Sequence, residues 1–258
     1  MPASAASALA RAKERGHRLF ICTGRSAPEV YPRFFDLGFE GIVGGAGGSA
    51  AVGSTVLLDE RMPAEHVEAL TRMWEELGAF YVWQGPDQMG PSRGYLDFFV
   101  PRAGENPQDW VEYGESVTPF VVDIEGGSFT KVTAYVRPEN ASMERISAAL
   151  PDGYRAIIGS VGAAGYVPFE VLPTRLSKAV GIEAVCEYLG IPLSRSVAIG
   201  DSNNDVEAVA RAGVGISIGD GCEALVEVAD IVAPAVGDDG FAWALAAAGL
   251  IDEAPNPA

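Results

Sequence analysis

The spacing of apolar residues along the chain first follows an alternation of helices and strands. Residues 4–15 have helical spacing and stop at Gly16, and residues 18–23 form an apolar run typical of a strand buried on both faces. Ser26 and Glu29 have the spacing of a capping box, which predicts that a helix begins there. The elements predicted for this part are helix 4–15, strand 18–23, helix 26–38, strand 42–43, hairpin 52–58 and helix 65–77.

The middle of the chain has a different texture, with aromatic and β-branched segments separated by Gly, Pro and Asn turns. Such segments predict strands, and a run of them favours an antiparallel sheet. The predicted elements are strands 79–84, 94–100, 119–124, 129–137, 154–159 and 165–172, with one helix at 139–150. We interpret this part as an α+β domain inserted into the alternating pattern.

From Ser177 onwards helices and strands alternate again. This alternation predicts a parallel sheet with crossover helices. The elements are helices 178–189, 204–212, 222–229 and 239–248 and strands 196–200, 214–218 and 231–232. The predicted fold class is therefore α/β, a doubly wound parallel core (residues 1–62 and 174–258) interrupted by a smaller α+β cap domain (residues 63–173).

Composition and charge narrow the functional classes. The net charge of −17 argues against a nucleic-acid partner, because no basic surface is available to neutralise phosphates. The three cysteines lie far apart in the sequence, which predicts reduced thiols and no disulfide framework. There are only two histidines, which gives little support to zinc binding or to catalysis by a histidine base. Charged residues interrupt the Ala-rich start, so we expect no signal peptide there. No apolar run is long enough to cross a bilayer. We expect a soluble, cytoplasmic protein without a membrane partner.

Polar residues follow the first core strand at the position where open α/β sheets bind ligands. Thr23 ends the run LFIC and precedes Gly24 and Arg25. A hydroxyl beside free N–H groups at a helix start can hold a phosphate group, although a turn or capping threonine would have the same pattern. The glycines at 44–48 do not form a dinucleotide fingerprint, and we interpret them as turn or close-approach glycines.

The strand at 196–200 is followed by Gly-Asp-Ser-Asn-Asn-Asp, which places Asp201 and Asp205 four residues apart. Two carboxylates with amides between them offer the hard oxygen ligands that Mg²⁺ prefers, while an Asx turn before a helix is the alternative. Lys178 is one of only three lysines and begins a helix, where the macrodipole disfavours a cation. A compact ammonium group suits a phosphoryl oxygen, and a solvated surface lysine is the alternative.

Taken in order, Thr23-Gly24-Arg25, then Lys178, then Gly200-Asp-x-x-Asn-Asp205 resemble the motifs of the haloacid dehalogenase superfamily, and most of all its Cof-type subfamily IIB. The resemblance covers essentially the whole chain and implies an inserted α+β cap. It implies catalytic roles for Thr23 and Lys178, which would contact the transferring phosphoryl group. The residues implied to bind substrate are Gly24, Arg25 and Asn204, and those implied at the metal are Asp201 and Asp205.

One motif of the family is missing from this sequence. Members of the family begin with a strand ending in D-x-D-x-[TV], whose first Asp is the nucleophile, and no segment of this sequence has that pattern. The family places that strand between those ending at Thr23 and Gly200, so we expect a truncated and inactive form. Smaller departures are Ala179 after the lysine, Asp220 where Asn is usual, and Gly47-Gly48 where the family has Asn-Gly.

The resemblance implies a Mg²⁺-dependent phosphatase that hydrolyses a small phosphomonoester, with a phosphorylated metabolite as substrate and sugar phosphates as the class favoured by analogy. Two alternatives stay open. One is a phosphomutase, in which a second hydroxyl accepts the phosphoryl group. The other is a non-catalytic protein that binds a phosphorylated ligand. A dinucleotide-dependent oxidoreductase is disfavoured, because the glycine fingerprint is missing.

Overall fold

A computed structural model describes residues 1–99, 107–219 and 221–252. The chain forms two compact units. The first comprises residues 1–24, 32–58 and 177–258, and the second comprises residues 25–31 and 59–176. The second unit thus covers a wider range than the predicted cap and takes in a short segment directly after Gly24. Among the described residues, no helix is long and apolar enough to cross a membrane.

The first unit begins with helix α1 (Ala3–Glu14) and strand β1 (Phe20–Cys22). β1 pairs in parallel with β2 (Gly41–Gly44), and β2 pairs antiparallel with β3 (Ser49–Val52). With β4 (Thr55–Asp59) these strands make a sheet in the order β1-β2-β3-β4. The predicted hairpin is therefore present, and its first strand begins at Ser49.

The later part of the first unit alternates helices and parallel strands as expected. The strands are β10 (Val197–Gly200), β11 (Val214–Ile218) and β12 (Ile231–Ala233), paired in that order. The helices are α6 (Lys178–Leu189), α7 (Val206–Arg211), α8 (Glu223–Val228) and α9 (Gly240–Ala247).

Helices cover both faces of these strands. Alternate residues of a strand point to opposite faces, so neighbouring residues of one strand pack against different helices. In β10, Ala198 packs in a cluster with α7 and α8 residues, whereas Val197 and Ile199 pack with residues of α9. The buried Val185 of α6 packs against Val43 of β2. The doubly wound parallel core predicted from the alternation is thus confirmed.

β1 and β10 each end one of these two sheets, and on the outer edge neither has a strand partner among the described residues. Leu19, next to β1, and Ile199 of β10 nevertheless pack in the same apolar cluster with Ala8 of α1 and Ala242 of α9. The two sheets therefore share one core within the first unit.

The second unit is built on an antiparallel sheet in the order β6-β5-β7-β9-β8. Its strands are β5 (Phe80–Gln84), β6 (Met89–Pro91), β7 (Lys131–Val136), β8 (Tyr154–Ile158) and β9 (Val167–Pro173). Its helices are α2 (Ala64–Glu76), α3 (Tyr95–Phe99), α4 (Pro107–Val117) and α5 (Met143–Ala148). Trp74 of α2 and Trp83 of β5 are fully buried in its main core.

Two strands expected in the second unit are wrong. The segment 94–100 forms α3 over its described part, and Tyr95, Phe98 and Phe99 are buried at helical spacing. The aromatic residues favour a strand by propensity, but the spacing of the buried positions is that of a helix with one buried face. The segment 119–124 forms only a 3-10 turn and an isolated bridge at Val121, because Pro119 has no N–H to offer a strand ladder. The helix α4 was not expected.

Of the predicted helices, the one at 26–38 is wrong, since no α-helix forms there, and the one at 139–150 is shorter than expected. The capping box at Ser26 and Glu29 is present, but it starts only a 3-10 turn at Ala27–Glu29, followed by another at Pro32–Leu37. Pro32 lacks the N–H that a continuous helix needs and disfavours helical geometry in the preceding residue. The helix expected at 139–150 is limited to α5.

The capping-box carboxylate has a second role in the unit to which it belongs. Glu29 is 5% exposed and accepts hydrogen bonds from Ser26, from Gln84 Nε2 at 2.6 Å and from the Tyr113 hydroxyl at 3.1 Å. Gln84 in turn accepts a bond from Thr133 at 2.8 Å. These buried bonds hold the segment 25–31 in the second unit.

Candidate active site at the carboxyl ends of the parallel strands

The site in the first unit lies where β1 and β10 end. The backbone N–H of Thr23 donates to Val43 O at 2.9 Å, which extends the pairing of β1 with β2 by one residue. Gly24 lies close to the loop that follows β10, since a Cβ on Gly24 would be 3.3 Å from Asn204 Nδ2. The two loops predicted from separate parts of the sequence are therefore neighbours.

Lys178 connects a third element to these loops. Its Nζ donates to Asp205 Oδ1 at 2.5 Å and to Asn204 Oδ1 at 2.7 Å. The side chains of Lys178 and Asp205 are only 7% and 8% exposed. Lys178 is therefore not a solvated surface lysine, because its ammonium group is buried and paired.

The other oxygen of Asp205 organises the loop after β10. Asp205 Oδ2 accepts the N–H groups of Asp201 and Ser202 at 3.2 and 3.1 Å and the Ser202 hydroxyl at 3.0 Å. Gly200 permits this arrangement, because a Cβ there would lie 2.3 Å from Asp205 Cβ. Both oxygens of Asp205 are thus occupied by protein donors.

Asp201 has the opposite environment. Its carboxylate is exposed, and it receives no hydrogen bond from the described residues, although its N–H is held by Asp205. Mg²⁺ is usually bound by one or two carboxylates and several waters, so an exposed carboxylate on a fixed loop fits this ion. A cage of three or more acidic, histidine or cysteine side chains is not found in the described part of the chain. The donor set therefore suits a hydrated magnesium ion better than zinc.

The glycine turn at 45–47 links Thr23 to the start of α6. The N–H of Ala46, which has a left-handed backbone (φ 57°), donates to Thr23 O at 3.2 Å. Gly47 has φ 94°, and a Cβ on it would lie 1.8 Å from the carbonyl oxygen of Ser177. The prediction of a close-approach glycine in this segment is confirmed at Gly47.

Cys22 lies beside the same charged groups, in surroundings that disfavour its thiolate form. Burial raises the pKa of its thiol to about 12, opposed in part by the nearby ammonium of Lys178. Since the thiolate is the reactive form, the neutral thiol at physiological pH is inert. All three cysteines are free.

The structure brings together Thr23, Gly24, Asn204, Lys178 and the Asp201–Asp205 loop. Arg25 belongs to the second unit, where its Nη1 donates to Glu29 O at 3.2 Å and its guanidinium lies 5.9 Å from the ring centroid of Tyr31. Asp220 lies outside the described residues. Sequence reasoning did not single out Ser202, whose hydroxyl bonds Asp205, although Ser-x-x-Asp is a capping-box signal.

Fold and site together define a class: a doubly wound α/β protein that carries a lysine–aspartate–asparagine cluster at the carboxyl ends of its parallel strands and a separate antiparallel unit. The particular family follows from the sequence. The profile of the haloacid dehalogenase-like hydrolases matches residues 1–245, so the chain belongs to this family of enzymes, as the motifs predicted.

Individual relatives are similar over most of the chain. The Bacillus subtilis protein named "Putative phosphatase YkrA" is 25% identical over 251 residues, which are 97% of this chain and 92% of that protein. A hypothetical protein of Geobacillus kaustophilus has a solved structure with a TM-score of 0.75 and 27% identity, covering 97% of this chain and 93% of that one. The subclass IIB sugar phosphatase BT4131 has the same fold, with a TM-score of 0.75 at 21% identity over 97% of this chain and 93% of its own.

Proposed function

We propose that this protein is a Mg²⁺-dependent phosphatase acting on a small phosphomonoester, with sugar phosphates as the substrate class. The observation that carries the proposal is the buried Lys178, held 2.5 Å from Asp205 and 2.7 Å from Asn204 next to the exposed carboxylate of Asp201. An ammonium group and a metal-binding carboxylate at one site suit a phosphoryl group, whose transfer depends on positioning and charge stabilisation. Relatives named as phosphatases support this choice.

Each residue then has a role set by its chemistry. The Thr23 hydroxyl and the Gly24 N–H donate to phosphoryl oxygens, and Lys178 neutralises the negative charge that they carry. Asn204 lies against Gly24 and orients the same group. Asp201 holds Mg²⁺, which supplies positive charge when bound, and Asp205 is a positioning residue that fixes both Lys178 and the Asp201 loop.

The nucleophile needs a separate argument, because no D-x-D-x-[TV] pattern occurs in the 258 residues. We place it on a strand pairing with the outer edges of β1 and β10, which have no strand partner among the described residues. A carboxylate at the end of such a strand would lie at the same carboxyl edge as Thr23 and Asp201. It would attack phosphorus to form an aspartyl phosphate while the P–O bond to the alcohol breaks, and the second Asp of the same pattern would give the leaving alcohol its proton. Water, deprotonated by that second Asp, would then attack phosphorus, break the bond to the aspartyl oxygen and release inorganic phosphate with the carboxylate restored.

The experiment compares the 258-residue chain with a variant extended at its amino terminus by a strand ending in Asp-x-Asp-x-Thr. Phosphate release from a panel of sugar phosphates is measured with and without Mg²⁺. We expect Mg²⁺-dependent turnover from the extended chain and none from the same extension with Asn in place of the first Asp. A well-folded extended chain that releases no phosphate from any member of the panel contradicts the proposal.

The second candidate is a non-catalytic protein that binds a phosphorylated ligand. The buried ammonium of Lys178 beside Asn204 is compatible with it, since a cation and polar donors can bind a phosphate group without any nucleophile. Micromolar binding of a sugar phosphate by the extended chain, without turnover over many hours, would support this candidate in place of the enzyme.

A further inference from the structure

The serine before Lys178 has an unusual environment. Ser177 is 6% exposed and occupies the N-cap position of the 12-residue helix α6. An N-cap serine normally accepts a hydrogen bond from the second or third N–H of its helix. The Ser177 hydroxyl makes no such bond, and no partner for its Oγ is found among the described residues.

The backbone of Ser177 is nevertheless fixed from two sides. Its carbonyl oxygen accepts the N–H of Val180 at 3.0 Å and packs against Gly47, where a Cβ would be 1.8 Å away. The residue is extended, with φ −153° and ψ 163°. The backbone that carries the hydroxyl is therefore fixed, and a buried polar group without a partner among the described residues calls for a specific explanation.

The surroundings of this hydroxyl have the chemistry of an oxyanion site. The first N–H groups of an α-helix have no partner within the helix, and the macrodipole adds positive potential there. The first turn of α6 contains no acidic residue, and its first residue is Lys178. Hydroxyl, backbone N–H and ammonium donors at one helix start are a favourable set for a phosphate group.

We propose that Ser177 is a phosphoryl ligand, whose hydroxyl donates a hydrogen bond to an oxygen of the phosphate group bound beside Lys178 at the start of α6. The identity of the anion rests on the proposed function. The role of Ser177 itself requires only that phosphate binds, with or without turnover.

The test is the variant Ser177→Ala in the 258-residue chain, with two measurements. The first is the Kd for inorganic phosphate in Mg²⁺ buffer, by calorimetry, and the second is the urea midpoint of unfolding without phosphate. A hydrogen bond to a charged group predicts a Kd weakened by about tenfold or more. Because the hydroxyl has no partner to lose within the described part of the chain, the urea midpoint should stay the same or rise.

Two variants in the second unit serve as controls. Ser142→Ala removes an N-cap hydroxyl that accepts the N–H of Arg145 at 3.2 Å, so it should lower the urea midpoint and leave the Kd for phosphate unchanged. Thr130→Val removes another buried hydroxyl without a partner among the described residues. This variant should not lower the urea midpoint, and it should leave the Kd for phosphate unchanged.

The outcomes separate this inference from the proposed function. If Ser177→Ala leaves the Kd unchanged, or if the parent chain binds no phosphate in Mg²⁺ buffer, the inference is wrong. A lowered urea midpoint with an unchanged Kd would assign Ser177 a structural role only. If Ser177→Ala weakens phosphate binding while the extended chain shows no turnover, the inference stands and the phosphatase proposal fails.

Discussion

The buried pair Lys178–Asp205 provides the most direct test of how the site is built. Removing one partner of a buried ion pair leaves an uncompensated charge and costs about 3–5 kcal/mol. In Lys178→Met, Asp205 Oδ1 loses its 2.5 Å donor while Oδ2 keeps its loop donors. We therefore expect a loss at the lower end of that range, about 3 kcal/mol.

A double-mutant cycle isolates the coupling between the two charges. Asp205→Asn alone removes the negative charge that faces the Lys178 ammonium and leaves it with uncharged amide oxygens such as Asn204 Oδ1, so we again expect a loss of about 3 kcal/mol. The double variant contains neither charge, and its loss should be smaller than the sum of the single losses by about 2 kcal/mol. Urea unfolding at pH 7 measures all four proteins, since changes of this size are large against a total stability of about 5–15 kcal/mol.

The second unit supplies a matched control for this cycle. Lys131 and Glu170 form a buried pair at 2.5 Å, with side chains that are 2% and 10% exposed. Lys131→Met should lower stability like Lys178→Met but leave the Kd for phosphate in Mg²⁺ buffer unchanged. Single losses that add within about 0.5 kcal/mol would mean that Lys178 and Asp205 are not coupled, which would refute the reasoning.

Three further predictions concern the first unit. Gly47→Ala should cost roughly 2 kcal/mol more in urea unfolding than Gly53→Ala, because both glycines have positive φ but only Gly47 lies against backbone, 1.8 Å from the Cβ position. The Cys22 thiol has a raised pKa of about 12 in the folded chain against 9.0 ordinarily, so its contribution to stability is complete below pH 9 and is lost as the pH rises towards 12. At pH 10.5 this loss amounts to about 2 kcal/mol, which Cys22→Ala should not show. In the extended chain, Asp201→Ala should nearly abolish turnover and weaken its response to Mg²⁺, measured by Mg²⁺ titration.

Each of these predictions has a clear negative result. Equal losses of unfolding free energy for Gly47→Ala and Gly53→Ala would show that the close approach of Gly47 to Ser177 adds nothing to the cost of the substitution. Parallel pH–stability curves for the parent chain and Cys22→Ala would show that the thiol titrates normally, since the tyrosines contribute equally to both. An unchanged Mg²⁺ titration for Asp201→Ala would remove Asp201 from the metal site.

The parts of the site differ in how far the sequence predicts them. Thr23 and Asp201 come directly after apolar strands, so their position at one sheet edge follows from the topology of parallel strands. The different environments of Asp201 and Asp205 cannot be predicted from the sequence, because both residues belong to the same motif and nothing in it distinguishes a buried from an exposed carboxylate. Only the tertiary structure shows that Asp205 is buried against Lys178 whereas Asp201 is exposed, which is the difference on which we base their proposed roles.

The same limit applies to Glu29 and to α3. The capping box at Ser26 and Glu29 is a local signal, and it forms locally as predicted. That Glu29 also binds Gln84 and Tyr113 depends on residues more than fifty positions away along the chain. The aromatic residues of α3 favour a strand by propensity, but packing of Tyr95, Phe98 and Phe99 on one side selects a helix.

The sequence by itself determined the alternating α/β core, the antiparallel insertion and the order of the motifs that identify the family, because periodicity and turn residues act over a few neighbouring positions. The tertiary structure alone decided that segment 25–31 joins the second unit, that Lys178 is buried and paired with Asp205, and that the Ser177 hydroxyl lacks a partner among the described residues. These features depend on desolvation and on contacts between distant segments, and no local pattern encodes such contacts.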